Sequence, residues 1–338
     1  MKALSRSLFT GSDYIESLPD IAAPGTFICY ICDGDVMTSF RILISGASGF
    51  IGTALVPSLE ARGTAITRLA RGKSSAGAHI AWDPSQSVNP EVVSGFDGVI
   101  HLAGEPIAGV WTKEKRKRIF ESRVHGTAHL CDALARASRP PRVMICASAI
   151  GYYGDRGDET LSEGSASGDG FLPEVCRQWE AATKPASDAG VRTVQIRTGV
   201  VLSADGGALQ KMLLPFRIGL GALLGDGRQW MSWIHLEDLV SAILYILNDD
   251  ARQGPVNLVA PAPVRNSEFT ETLASVLSRS AMFRIPEFAV RLAFGEMGKE
   301  VLLASQRVSP DALLASGYKF IYQDLGSALA NILEIPSN

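Results

Sequence analysis

The segment Arg41 to Gly52, RILISGASGFIG, constrains this chain more than any other: it reads as a buried strand, a glycine loop and the first turn of a helix. Ile42, Leu43 and Ile44 form the short apolar run of a strand covered on both faces, and glycines follow at positions 46, 49 and 52 with no charge near them. Gly46 lets the chain turn tightly, Gly49 removes the Cβ that would hold a pyrophosphate off the backbone, and Gly52 lets the helix pack closely on the strand. The N–H groups near Phe50 and Ile51, at the positive end of the helix dipole, then face the phosphates, with Ser48 beside them in the loop. A second strand follows about 20 residues on. In that context the G-x-x-G-x-x-G spacing predicts a dinucleotide-binding turn in an α/β protein.

The end of the second strand, Ala65 to Leu69, bears on which dinucleotide. An acid just beyond it would accept hydrogen bonds from a ribose 2′-hydroxyl, whereas an arginine there pairs with a 2′-phosphate. The stretch is Ala70-Arg71-Gly72-Lys73, with no carboxylate and two cations, which predicts NADP(H) as the cofactor.

With 338 residues, 46% of them hydrophobic, the chain is long enough for one large α/β unit and a smaller appended domain. A net charge of -3 offers no basic field for nucleic acid, and no apolar run reaches the ~18 residues that span a bilayer. Neither nucleic acid nor membrane is expected as a partner. Of the five cysteines, only Cys29 and Cys32 stand at a C-x-x-C spacing, with no βαβ pattern around them; Cys131, Cys146 and Cys176 sit in apolar contexts and read as small core hydrophobes. A reducing cytoplasm fits this usage. Residues 1–38 lack a sustained period and read as a poorly ordered extension, with Met37 as a candidate natural start.

After the glycine loop, Ile51 to Arg62 places Ile51, Leu55, Val56 and Leu59 on one helical face. Further strands are expected at His79–Trp82, Gly98–Leu102, Val143–Ala147 and Arg192–Arg197, with a long helix over Lys113–Arg136 whose basic first half, KEKRKR, reads as a solvated face. Arg118 or Arg123 could reach back from it to phosphate. Phe171 to Ala186 looks helical up to Pro185. Beyond Leu202 the pattern turns mostly helical, with helices at Gly207–Phe216, His235–Leu247, Asn266–Leu277, Glu287–Phe294, Lys299–Ala304 and Gln323–Leu333, and one strand at Val256–Val259. Residues 39–202, with parts of 230–260, are expected to hold the nucleotide, and 203–338 to form a small substrate or cap domain.

SGASGFIG, HLAGE at 101–105, Ser148 at the end of the fifth strand and WIHLEDL at 233–239 together resemble the extended short-chain dehydrogenase/reductase superfamily. LAGEPIAGVW, ESRVHGT, SAIGYYGDRGDE, FLPEVCRQWEAA, RTGVVLS, MLLPFRIGLG and RVSPDALLASGYKF are similar to its atypical subgroup of 39U-type epimerase family proteins. The resemblance runs from about residue 40 to the C-terminus. It implies a Rossmann-type doubly wound parallel sheet with a smaller, mostly helical C-terminal substrate domain, and an NADP-binding site with Gly46, Ser48, Gly49, Phe50 and Ile51 at the pyrophosphate, Ala70 and Arg71 at the adenosine end, Leu102, Ala103 and Gly104 under the cofactor, and Arg123 and Val201 near it. It also allows a homodimer through a four-helix bundle.

Superfamily enzymes carry Tyr-x-x-x-Lys on the helix after the fifth strand. Here that helix reads GFLPEVCR, so Phe171 or Leu172 stands at the tyrosine position and Val175 or Cys176 at the lysine position. Another phenol is therefore sought: Tyr152 or Tyr153 as acid/base, Ser148 as hydrogen-bond donor to a carbonyl, Glu105 or Arg156 as orienting charges. These support an NADP(H)-dependent oxidoreductase or epimerase acting on a small carbonyl or sugar-type molecule. The missing dyad supports the alternative, a non-catalytic NADP(H)-binding regulatory or redox-sensing protein. Trp111, Phe216, Trp230 and Trp233 suggest an aromatic lining, and Arg217 and Arg228 are few for a highly charged sugar nucleotide, which points to a less polar ligand.

Overall fold

Alternate residues of strand β1 (Arg41–Ser45) enter two different cores. Ile42 and Ile44 pack on one side, with Leu55 and Leu59, while Leu43 packs on the other, with Leu130 and Leu134. All seven of these aliphatic residues are at most 1% exposed, and each buried side chain of this size contributes roughly 1.5–3 kcal/mol. A strand with both faces covered is the mark of a parallel sheet between two helical layers. The computed structural model describes residues 40–72 and 78–335; the readings of residues 1–38, of the Cys29/Cys32 pair, of Met37 and of Lys73 lie outside the described residues.

The sheet has seven strands: β1, β2 (Ala65–Ala70), β3 (Ala78–Ala81), β4 (Gly98–His101), β5 (Val143–Ala149), β6 (Arg192–Thr198) and β7 (Gly254–Leu258). Their spatial order is β7-β6-β5-β4-β1-β2-β3, and every pairing is parallel. The order reverses between β1 and β4, and at such a switch point open α/β sheets bind ligands beyond the strands' carboxyl ends. Helix α1 (Phe50–Glu60) and helix α4 (Leu236–Asn248) cover one face; α2 (Lys113–Arg136) and α3 (Phe171–Ala181) cover the other.

Elements after Leu202 build a further core from Leu209, Leu213, Phe216, Trp233, Phe269, Leu273 and Leu329. Asp238 secures the C-terminal part to α4, its two carboxylate oxygens accepting the backbone N–H of Ile321 (2.7 Å) and Tyr322 (2.9 Å).

Three details depart from the sequence reading. The expected helix from Phe171 stops at Ala181, and a separate short helix, Lys184–Asp188, begins with Pro185 in its first turn, where proline's missing N–H costs nothing. The expected helix at Lys299 is a π-helical turn over Gly298–Leu302, entered through Gly295 at φ 58°, ψ -137°, a conformation that glycine adopts without a Cβ clash. Four ladders of two or three residues also escaped the pattern: 160–161 with 307–308, 200–202 with 233–235, 222–224 with 283–285, and 230–231 with 264–265. Runs that short carry no period to read.

Candidate active site

The glycine loop is tight at two of its three glycines and open at the third. Gly46 sits at φ 74°, and a Cβ there would lie 2.7 Å from the carbonyl carbon of Leu102 and 2.8 Å from the nitrogen of Ala103. A Cβ on Gly52 would stand 2.7 Å from Cα of Ala47. At Gly49, which is exposed, it would meet only the carbonyl oxygen of Gly46, at 3.2 Å. Gly49 is also the N-cap of α1, no side chain caps that helix, and its first turn holds no acid. The leading amides of α1, which have no partner within the helix, therefore border an open, uncharged hollow beside exposed Ser48. Such a hollow suits a pyrophosphate.

Behind the loop runs a buried polar chain. Ser45 Oγ and His101 Nδ1 are 2.6 Å apart, His101 Nε2 and Thr127 Oγ1 3.0 Å, and the Trp179 indole N–H donates to Thr127 at 2.9 Å. Burial holds the His101 imidazole down at about 4, so it is neutral. Ser45 Oγ also accepts the Ala103 N–H at 3.4 Å, fixing the turn of Leu102, Ala103 and Gly104 against Gly46.

Phe50 turns away from the loop and fills the space left by Gly206 and Gly207, where a Cβ on either would overlap its ring. That contact brings the start of helix Gly207–Arg217 up to the start of α1. Val201 lies in the ladder just before it, paired with Ile234. At the other end of the loop's neighbourhood, β2 finishes at Ala70. Arg71 is exposed and forms no hydrogen bond or ion pair with any described residue, and its charge helps to hold the Asp83 carboxyl below its usual range, behind the larger effect of the Ser85 N–H and hydroxyl.

Arg123, from α2, lies under Gly104, where a Cβ would be 3.1 Å from its guanidinium carbon. It donates to the carbonyl of Glu105 at 2.8 Å and sits over the Trp179 ring at 5.0 Å. Arg118 takes a different course, toward the carboxylate of Glu105 (3.3 Å), which also accepts from Lys115 (2.8 Å). These two cations hold the Glu105 carboxyl below its usual range, Lys115 foremost.

Three adjacent strands present Ser148, Arg197 and Asn257 in one row. Arg197 is 3% exposed and grips Glu180 of α3 with Nε and Nη2, both at 2.8 Å. Ser148 directs its one proton to the same carboxylate, 2.7 Å away. Tyr153 is fully buried; its hydroxyl donates to Asn257 Oδ1 (2.7 Å) and accepts from Arg197 (3.0 Å), and burial pushes the phenol's pKa up. Tyr152 differs from its neighbour. It is half-buried, its ring faces the Arg197 guanidinium at 3.6 Å, and its hydroxyl bonds to no described residue. Arg156 is tied to Glu159 (2.6 Å) and to the carbonyl of Ala166 (2.9 Å), lining a cavity of about 490 Å³ with Gly151, Leu172, Pro173 and Glu300.

Leu172, Cys176 and Glu180 repeat every fourth residue and so form one row along α3. The first two face Gly151, where a Cβ would stand 3.4 Å from Leu172 Cβ and 3.8 Å from Cys176 Sγ. The Cys176 thiol is pushed up to about 12 by burial, against an opposing pull from the neighbouring Arg123. Glu300 holds the start of this helix, accepting the N–H groups of Phe171 (2.9 Å) and Leu172 (2.8 Å). Sequence reasoning missed Arg197, Glu180, Asn257 and Glu300, which share no motif: strand register aligns Arg197 and Asn257, and packing brings in Glu180 from α3 and Glu300 from the turn Gly298–Leu302. Cys131, Cys146 and Cys176 are all buried, as read. Among the described residues no group of side chains is arranged to hold a metal, and no helix is long and apolar enough to cross a membrane.

A family model described as "NAD dependent epimerase/dehydratase family" matches residues 42–259, which take in the whole of the seven-stranded sheet bar its first residue and every site residue above except Glu300. The chain belongs to that family. A second model, a domain of unknown function, matches residues 285–332. An epimerase family protein of Mycobacterium bovis is 41% identical over 295 residues, which are 87% of this chain and 97% of the relative. The human epimerase family protein SDR39U1 is 36% identical over 87% of this chain and 99% of its own length. Its crystal structure with NADPH superposes with a TM-score of 0.79. A structure from Corynebacterium glutamicum, described as a nucleoside-diphosphate sugar epimerase, is 39% identical with a TM-score of 0.73, this chain covering 58% of it. The family member in hand is thus of the SDR39U1 type within the short-chain dehydrogenase/reductase superfamily.

Proposed function

We propose that the protein is an NADP(H)-dependent oxidoreductase or epimerase of a small carbonyl or sugar-type molecule, with Tyr152 as its acid/base. The observation that carries the nucleotide half is the hollow at Gly49, closed behind by Gly46 and Gly52 and floored by the uncapped start of α1. Gly46, Ser48, Gly49, Phe50 and Ile51 would hold the pyrophosphate with backbone N–H groups. Ala70 and Arg71 would take the adenosine end, with Arg71 against a 2′-phosphate. Leu102, Ala103, Gly104 and Val201 would line the cofactor, and Arg123 would bring a cation beside Cys176, where the superfamily's lysine is absent. When bound, the nicotinamide supplies a hydride donor or acceptor.

Tyr152 is preferred to Tyr153 because the Tyr153 hydroxyl is spent inside the core, on Asn257 and Arg197. The Arg197 guanidinium, 3.6 Å from the centroid of the Tyr152 ring, holds that ring in place while its hydroxyl bonds to no described residue. Ser148 would serve a carbonyl oxygen only by turning its proton from Glu180. Residues 39–202, with parts of 230–260, would hold the cofactor and 203–338 the substrate.

Titration of NADPH and NADH by fluorescence on the wild type and on Arg71→Ala tests the first half. Turnover of a panel of carbonyl compounds and sugar nucleotides by wild type and Tyr152→Phe tests the second. A second reading is favoured by the row Leu172, Cys176, Glu180, which offers no tyrosine and no lysine: a non-catalytic NADP(H)-binding protein, which would bind the cofactor tightly and turn over nothing in that panel.

A further inference from the structure

Two arginines from distant parts of the chain meet at one indole, and a third acts on the carboxylate beside it. The guanidinium carbons of Arg265 and Arg307 lie over the Trp230 ring, 4.2 and 4.6 Å from its centroid. Arg228 is two residues before that tryptophan, and its carbonyl accepts a hydrogen bond from Arg265. One carboxylate answers them: Asp158 accepts the Trp230 indole N–H at 2.9 Å and pairs with Arg265 at 2.8 Å. Asp226, the other acid nearby, accepts the backbone N–H of Arg228. The side chains of Arg228 and Arg307 donate no hydrogen bond to any described residue.

This is an unbalanced arrangement. Guanidinia repel one another, and although Arg265 spends N–H groups on Asp158 and the Arg228 carbonyl, Arg307 meets the indole with its N–H groups unused by any described residue. A guanidinium N–H edge matches the oxygens of a phosphate or carboxylate in paired geometry. Asp158 offsets only one of the three positive charges, and the Trp230 N–H foremost, with Arg265 and Arg228, holds its carboxyl below the usual range.

The cluster is also wired to the candidate active site. The Trp230 carbonyl accepts the Gln306 N–H at 3.1 Å, and the Gln306 side chain donates to the carbonyls of Ile150 and Gly154, both at 3.1 Å. Those two carbonyls flank Tyr152. Arg307 follows Gln306 directly, and Asp158 belongs to the same loop as Tyr152. The expectation of a less polar ligand, drawn from Arg217 and Arg228, leaves out Arg265 and Arg307, which only folding brings to Trp230.

We propose that Arg228, Arg265, Arg307 and Trp230 form a subsite for an anionic group, phosphate or carboxylate, on the small molecule that the Ser148–Tyr152 loop serves. The proposal rests on the reading of that loop as a substrate site, and its test is independent of turnover. Inorganic phosphate, inorganic diphosphate and acetate are titrated calorimetrically at constant ionic strength into protein saturated with NADP+, so that the cofactor's own phosphate contacts are occupied. The same titrations are made on Arg307→Met, Arg228→Met and Arg307→Lys. Saturable binding of at least one anion is expected, weakened about tenfold or more in either methionine variant and partly kept in the lysine variant, with NADP+ affinity unchanged. Tighter phosphate or diphosphate than acetate marks a phosphate subsite; the reverse marks a carboxylate subsite. Absence of saturable anion binding in the wild type, or equal binding in wild type and both methionine variants, overturns the proposal. Two methionine variants guard against one that fails to fold. If NADP+ itself does not bind but the anions do, and Arg307→Met abolishes that binding, the cofactor reading fails while the subsite stands.

Discussion

The hydroxyl of Ser148 and the guanidinium of Arg197 meet on one carboxylate, that of Glu180, at 2.7 and 2.8 Å. Glu180 stands on the same row of α3 as Leu172 and Cys176. The serine that would polarise a carbonyl is therefore held by a structural ion pair.

Breaking that pair should be costly. Glu180→Ala leaves the Arg197 charge buried without its partner, and we expect a loss of about 3–5 kcal/mol in urea unfolding, whereas Glu180→Gln should lose clearly less. Equal stability of the alanine variant and wild type would remove the pair from the account of the fold.

The two tyrosines should separate cleanly. Tyr153→Phe strands Asn257 and part of Arg197 in the core and should cost roughly 1–3 kcal/mol. Tyr152→Phe should leave the melting temperature within about a degree, given that its hydroxyl has no described partner. If the enzyme turns over any substrate, Tyr152→Phe should lower kcat at least a hundredfold with NADPH affinity within a few-fold. Unchanged kcat takes Tyr152 out of the mechanism.

Glycine by glycine, the loop makes unequal demands. Gly46→Ala and Gly52→Ala drive a Cβ into backbone and should yield little folded protein. Gly49→Ala should fold, with stability changed by about 1 kcal/mol at most, but should lose tenfold or more in NADPH affinity because its Cβ would occupy the hollow. Equal affinity of Gly49→Ala and wild type in a fluorescence titration would place the phosphates elsewhere.

His101 gives the fold a dependence on acid. Its pKa is about 4 when folded, against a usual 6.5, so the unfolded chain binds the extra proton between those values. Its contribution is complete above about pH 6.5 and is lost as pH falls toward 4, up to ~3 kcal/mol in all. Urea unfolding at pH 7 and pH 5 should show this slope in the wild type and a flatter one in His101→Gln. Parallel slopes would assign the acid sensitivity to other groups.

Much of the scaffold is visible in the sequence because it repeats. The run Ile42-Leu43-Ile44, the glycine triple and the 24-residue helix Lys113–Arg136 each carry their own signal, and the helix ends fall where the pattern puts them. The cysteines could likewise be read from their apolar neighbours. What the sequence hides is alignment across strands: nothing near Ser148 announces that register sets it beside Arg197 and Asn257. The basic run KEKRKR illustrates the same limit. Its charges looked interchangeable, yet Lys115 and Arg118 pair with Glu105, Arg116 reaches Glu296 at 2.7 Å, and only Arg123, further along, passes beneath Gly104.

The position of Arg123 beside Cys176 has a consequence for anyone wishing to retrofit this scaffold with the superfamily's usual chemistry. A graft of Leu172→Tyr and Cys176→Lys would place a new ammonium against a guanidinium that already occupies its neighbourhood, and a phenol against the tight backbone of Gly151. Such a graft would need a third change, at Arg123, before the first two could coexist.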